Sequence, residues 1–268
     1  MKITSIQTDI YWENIDGNLD QLTKIFKTIP PSDLVILPEM FTTGFTMNAQ
    51  KVAEKKEDKT LSWMKKMSNH YGVMIMGSIP VIEKKHYYNR LFVVHNDQID
   101  YYDKRHLFSM ANEDQTYSSG SSSIIIEFKG WKIMPLICYD LRFPVWSRNH
   151  IKDKKYKYDI LIYVANWPAK RSSAWVDLLK ARAIENSCYT FGVNRVGTDG
   201  NLVHYNGQSR TFDFLGNRMD QFELDKTMID QTICEKSKLN EFRKKFPVLQ
   251  DADCLLYTSD AADEFSCV

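Results

Sequence analysis

The chain has 268 residues, and its 35 Lys and Arg against 34 Asp and Glu leave a formal charge of +1. That balance gives no electrostatic reason to expect nucleic acid or a membrane surface as partner, and no apolar run approaches the roughly 20 residues that span a bilayer. The five cysteines, at 138, 188, 234, 254 and 267, are scattered without a CxxC pair. Neither a disulfide framework nor a structural zinc site is indicated, and a reduced cytoplasmic setting is the simplest reading.

In chain order, "MKITSIQTDI" alternates as a strand does and lacks a signal-peptide core. Residues 16–29 carry Leu19, Leu22, Ile25, Phe26 and Ile29 at helical spacing. "DLVILP" is a continuously apolar strand of the kind covered on both faces. A helix is predicted over 60–70, then strands at "GVMIMGSIPVI", "YYNRLFVVH" and "IDYYDK". Residues 105–123 hold no period and read as a loop. Strands return at "SIIIEF" and "WKIMPLIC", and a helix starts near Pro144, since proline is tolerated in a first turn. "YDILIYVAN" is another buried strand, and 172–187 a helix opened by Ser172 or Ser173. Residues 189–224 give short strands between "TDGN" and "LGN" turns, before a last helix over 234–246. The run "KDKKYKY" (Lys152 to Tyr158) reads as a solvated loop. Strands and helices in alternation predict α/β layers in one domain.

At the far end, "CLLYTSDAADE" (Cys254 to Glu264) matches, codon for codon, the translation of a common transposase sequencing adapter. The domain is therefore expected to cover 1–253, with 254–268 a non-native tail.

Three polar residues follow buried strands: Glu39 after "LVILP", Lys104 after "IDYYD" and Cys138 after "KIMPLI". Strand ends are where reactive groups converge in layered α/β proteins. A thiol needs a base to become the reactive thiolate, a carboxylate can serve and later return the proton, and an ammonium can hold an oxyanion. Each residue alone has a blander reading, as packing, a loop charge or a solvated cation.

The motifs "LPEMFTTGF", "YDKRHLF" and "LICYDLRFPVWSR", followed by "YVANWPAKRSSAWVDLLKARAIEN" and "GVNRVGTDGN", resemble the nitrilase (carbon–nitrogen hydrolase) superfamily, and most closely its bacterial omega-amidase branch. The resemblance implies a four-layer α-β-β-α sandwich, a homodimer or higher homo-oligomer, and no metal or organic cofactor. It implies Glu39 as general base, Lys104 as transition-state cation, Cys138 as nucleophile and Glu113 as a supporting second glutamate. The Tyr139 amide is then expected in the oxyanion hole, and the implied substrate is a dicarboxylate monoamide, foremost 2-oxoglutaramate.

Such a substrate carries a carboxylate far from the reacting amide. Arg142 could bind it through a planar guanidinium, or could pair with Asp140 instead; Arg171 is a second candidate. Phe45, Met110 and Trp167 could wall the pocket or belong to the core, and for Phe45 the core reading is preferred. His106 is expected to be a structural hydrogen-bonding residue, and Cys188 and Cys234 packing. An N-carbamoyl hydrolase, a nitrilase proper or a non-catalytic scaffold of the same fold are the alternatives.

Overall fold

The computed structural model describes residues 1–55, 58–153 and 155–253. Six strands form a first sheet in the spatial order Met228–Ile233, Lys2–Gln7, Leu34–Ile36, Met74–Glu83, His86–His95, Gln98–Asp103. A second sheet runs Arg210–Phe212, Tyr189–Asn194, Ile160–Ala165, Trp131–Ile137, Ile126–Phe128. The inner strands of both sheets pair in parallel, with antiparallel strands toward the edges.

The period-2 pleat explains why two sheets stack. Leu34, Ile36, Met74, Met76, Leu91 and Val93 face inward and share one core with Ile133, Leu136, Ile160 and Ile162 of the second sheet. Their neighbours Val35, Leu37, Val73, Ile75, Phe92 and Val94 face the other way, onto helices Ile15–Phe26 and Lys59–Tyr71 through Leu19, Leu22, Leu61 and Met64. Helix Ser172–Glu185 covers the second sheet with Trp175, Leu179 and Ala183. The result is the α-β-β-α sandwich. No helix among the described residues is long and apolar enough to cross a membrane.

Local differences from the predicted elements have physical causes. The first helix ends at Phe26, short of Ile29, because Pro30 excludes the residue before it from helical backbone. Helix Ser172–Glu185 does begin at Ser172, but no serine caps it: Arg171, the last residue of the 3₁₀ turn Ala169–Arg171, holds the cap position without a side-chain cap. Residues 105–123 are loop except for a 3₁₀ turn, Ser109–Ala111, and a single helical turn, Glu113–Thr116, both too short to show a period. The edge strand Met228–Ile233 has no sequence signature because its side chains are mostly half-exposed. Within Lys152–Tyr158, Lys152 and Lys155 pair in a two-residue ladder, while Tyr158 is fully buried with its hydroxyl donating to the Ser147 carbonyl. Lys154 and the expected non-native tail 254–268 lie outside the described residues.

The helix Lys236–Lys245 is tied down by charge as well as by Leu239. The buried Arg243 guanidinium donates to Asp159 Oδ1 at 2.7 Å, to the Tyr158 carbonyl at 2.8 Å and to the Ser187 carbonyl at 2.9 Å. Lys236 adds a second ion pair to Asp159. Breaking a buried pair by removing one partner leaves an uncompensated charge, so Asp159→Ala is expected to lower the unfolding free energy by about 3 kcal/mol in urea titrations. A loss below about 1 kcal/mol would show that the helix is held by apolar packing alone.

Candidate active site

All the strands that matter here end on one side of the sandwich. Glu39 lies three residues beyond Leu34–Ile36, and Cys138 and Asn166 directly follow Trp131–Ile137 and Ile160–Ala165. Gln98–Asp103 runs antiparallel to His86–His95, itself antiparallel to Met74–Glu83, so Lys104 emerges at that same end. Stacking the sheets therefore brings Glu39, Lys104, Glu113 and Cys138 together although they span 99 positions of sequence (138 − 39).

The four side chains are all buried, Cys138 with 8% of its surface exposed. Lys104 Nζ donates to Glu39 Oε1 at 3.0 Å and to both Glu113 oxygens at 2.9 Å. Glu39 Oε2 accepts from the Asn166 amide at 2.7 Å, and the Asn166 side chain donates to the Glu39 carbonyl at 2.5 Å. Glu113 Oε2 accepts from the Phe108 amide at 2.6 Å. Asn89 Nδ2 reaches both carboxylates, at 2.8 Å to Glu39 Oε1 and 3.3 Å to Glu113 Oε1. The Cys138 thiol lies 4.0 Å from the carbonyl of Asn166, the residue whose amide and side chain both bond Glu39.

Cys138 has φ +44°, left-handed backbone at a side-chain-bearing residue. Such a conformation costs on the order of 1–3 kcal/mol and persists only where the surroundings impose it. Here the surroundings are Asp140, fully buried, whose carboxylate accepts from the Ile137 amide at 3.1 Å, Tyr102 Oη at 2.8 Å and the His106 amide at 3.0 Å. His106 Nδ1 sits 2.8 Å from the same carboxylate, and its ring stacks on Phe143 with centroids 3.8 Å apart. Asp140 thus links the turn bearing Cys138 to the segment after Lys104, and His106 is the structural hydrogen-bonding residue expected.

Burial, reinforced by the Glu39 carboxylate and opposed by Lys104, pushes the Cys138 thiol well above the ordinary thiol range. Burial also raises Glu113, with Lys104 opposing and Glu39 adding to the rise. For Lys104, burial favours the neutral amine, but Glu113 and Glu39 outweigh it and hold the ammonium above its usual range. The resting arrangement is a neutral thiol beside a carboxylate and a fixed cation.

A cavity of about 630 Å³ opens above Cys138 and Lys104. Tyr139, Phe45 and Trp167 line it; Phe45 does both, half-buried against the core cluster of Met40, Ala49 and Tyr117 while facing the cavity with Lys104 Nζ 5.1 Å from its ring. Met110 is outside it: its side chain is 82% exposed, because the 3₁₀ turn Ser109–Ala111 turns it to solvent while Phe108 and Ala111 face the cavity. Arg142 and Arg171 both line the cavity, at 5.0 Å from the Trp167 ring and 5.1 Å from the Phe108 ring. Among the described residues neither has a carboxylate within ion-pairing distance, and Asp140 is engaged elsewhere. Cys188 and Cys234 are buried away from these groups.

The sequence reading missed Asn89 and the double role of Asn166. Asn89 continues the inward-facing row of Leu91 and Val93, and a polar residue closing an apolar row is the signal that could have found it. Asn166 was within a quoted motif but carries no titratable group to single it out.

Replacing Glu39 by Gln removes the negative charge beside the thiol and keeps Lys104. The pH midpoint of Cys138 alkylation by iodoacetamide, followed by peptide mass spectrometry, is therefore expected to fall by about one unit in Glu39→Gln. An unchanged or higher midpoint contradicts the arrangement.

Comparison with known proteins shows the family and the fold. A model of the carbon–nitrogen hydrolase family matches residues 2–234. The chain is 42% identical to omega-amidase YafV of Escherichia coli K12 over 255 residues, 94% of this chain and 97% of the relative. It is 31% identical to the 2-oxoglutaramate amidase of Bacillus subtilis, covering 95% of this chain and 98% of the other. The crystal structure of XC1258 from Xanthomonas campestris, a CN-hydrolase superfamily protein with an arsenic adduct in its active site, superposes with a TM-score of 0.93 at 39% identity, covering 96% of this chain and 99% of that one.

Proposed function

This chain belongs to the carbon–nitrogen hydrolase family, and from that premise we propose that it is an omega-amidase, hydrolysing the terminal amide of a dicarboxylate monoamide such as 2-oxoglutaramate to the acid and ammonia. The observation that carries the reading is the buried cluster of Cys138, Glu39, Lys104 and Glu113 under a cavity lined by two arginines that have no carboxylate partner among the described residues.

Glu39 takes the Cys138 proton as the sulfur attacks the amide carbon, so the thiolate forms only as it is consumed. The carbonyl oxygen gains negative charge, and Lys104 Nζ with the Tyr139 amide holds it; one such donor is typically worth about 3 kcal/mol of barrier. The C–N bond breaks, Glu39 hands its proton to the departing nitrogen, and ammonia leaves a thioester on Cys138. Water, deprotonated by Glu39, attacks that thioester, and the sulfur leaves as thiol, which restores the starting state. Glu113 never touches the reacting atoms: it fixes Lys104 through both of its oxygens. At the far end of the cavity, Arg142 and Arg171 are assigned to the substrate carboxylate. Trp167 and Phe108 hold those guanidiniums by their ring faces.

We also place the protein in a reducing cytoplasm, which the free Cys138, Cys188 and Cys234 support. A homodimer or larger homo-oligomer is supported by the apolar Val145, Ile184 and Leu215 left at the surface.

The test is ammonia release across a panel of 2-oxoglutaramate, a neutral aliphatic amide, an N-carbamoyl amino acid and a nitrile. The expected result is preference for 2-oxoglutaramate, abolished in Cys138→Ala; activity that survives Cys138→Ala overturns the mechanism, and preference for another class overturns the substrate. Arg142→Ala and Arg171→Ala are expected to lower kcat/KM for 2-oxoglutaramate by about 10- to 100-fold, mostly through KM. The neutral amide should be nearly unaffected. Equal losses on both substrates would remove the arginines from carboxylate binding.

A further inference from the structure

Asn89 is fully buried on the strand His86–His95, in the inward row otherwise filled by Leu91 and Val93. An apolar side chain there would fit the core as its neighbours do. The amide instead spends both its hydrogens between two carboxylates, at 2.8 Å and 3.3 Å, and leaves its own oxygen without a partner among the described residues. A buried polar atom without a partner weakens a fold, so what an asparagine offers at this point is its two hydrogens.

The charges around it call for them. Glu39 and Glu113 share one cation, Lys104, so with both carboxylates ionised and the thiol neutral the cluster carries one excess negative charge in a buried site. Lys104 itself is placed next to Asn89, because its backbone amide donates to the Asn89 carbonyl at 3.0 Å. The other titratable groups facing the pair are Cys138, Tyr117 beyond the helical turn Glu113–Thr116, and Tyr205 of the hairpin lining the cavity. Tyr117 and Tyr205 donate elsewhere, to the Thr46 carbonyl and to Asp199. Lys104, the Asn166 and Phe108 amides and Asn89 therefore do the stabilising, and among the described residues Asn89 is the neutral donor that serves both carboxylates.

We propose that Asn89 is a positioning residue for this reaction, an amide wedge that holds Glu39 aligned as the base and Glu113 on Lys104. The inference rests on Glu39 acting as the base. A donor to a carboxylate favours its charged form, so removing it raises the pH at which Glu39 takes up a proton. Activity requires Glu39 unprotonated in the free enzyme, and the acid limb of kcat/KM reports that ionisation.

The test is the pH profile of kcat/KM with 2-oxoglutaramate in Asn89→Leu, with Asn89→Ser as the smaller change should the leucine variant fail to fold. The acid limb is expected to move up by about one pH unit, a roughly tenfold loss on that limb. Asn89→Gln, which keeps the donor, should restore at least part of the shift. Activity that falls with an unmoved acid limb, or a limb that moves down, overturns the proposal and leaves Asn89 a packing residue. Failure of the underlying reading is separate: it would appear as activity in Cys138→Ala or Glu39→Gln, whatever Asn89 does.

Discussion

The interaction on which the site depends is one buried ammonium shared by two buried carboxylates. Moving any of these three charges out of water costs several kcal/mol even after relaxation. Attraction between them repays that cost only where geometry is close and the remaining lone pairs are used. Lys104 meets Glu39 at 3.0 Å and both oxygens of Glu113 at 2.9 Å, and the Asn166 and Phe108 amides occupy the second oxygen of each carboxylate. Lysine, a compact charge with three donors, suits this better than arginine, whose planar fork would bind one carboxylate side-on.

Such a cluster needs a scaffold that fixes backbone on four segments at once, and the stacked sheets provide it. Glu39, Lys104 and Cys138 sit at or just beyond strand ends, where ladder hydrogen bonds and core packing set the backbone, while Glu113 comes from the helical turn Glu113–Thr116 and is held by the Phe108 amide and Lys104. Local preference is overridden at Met40 beside Glu39, at Asn112 beside Glu113, and at the left-handed turn of Cys138. There the Asp140 carboxylate, held by Tyr102, His106 and the Ile137 amide, fixes the turn. Two segments far apart in sequence thus meet on one buried acid.

What could be read from sequence follows from this division. Buried strands announce themselves by period, and a polar residue directly after one, such as Glu39, Lys104 or Cys138, is visible without a structure. The edge strand Met228–Ile233 is not, because half-exposed side chains carry no pattern. Met110 shows the limit at loops: on a 3₁₀ turn, neighbouring positions point to cavity and to solvent, and sequence does not say which. Asn89 shows another limit. Uncharged residues draw no attention in a search for titratable groups, although buried carboxylates depend on neutral donors as much as on cations. Arg142 stood open between a partner acid and a free role, and the closure of Asp140 onto other donors separated the two readings.

The same charge arrangement bears on turnover under the proposed reaction. A dicarboxylate monoamide is neutral at its reacting end and anionic at the other, so its two ends match a net-negative floor and an arginine-bearing wall. Hydrolysis converts the neutral end into a second carboxylate, formed beside Glu39 and Glu113. The product's new charge faces two carboxylates that already share their only cation, whereas the substrate's amide did not. Interactions that favour the departing acid less than the arriving amide favour product release, and the Glu39 charge among them is the same one that reinforces burial in holding the thiol protonated at rest.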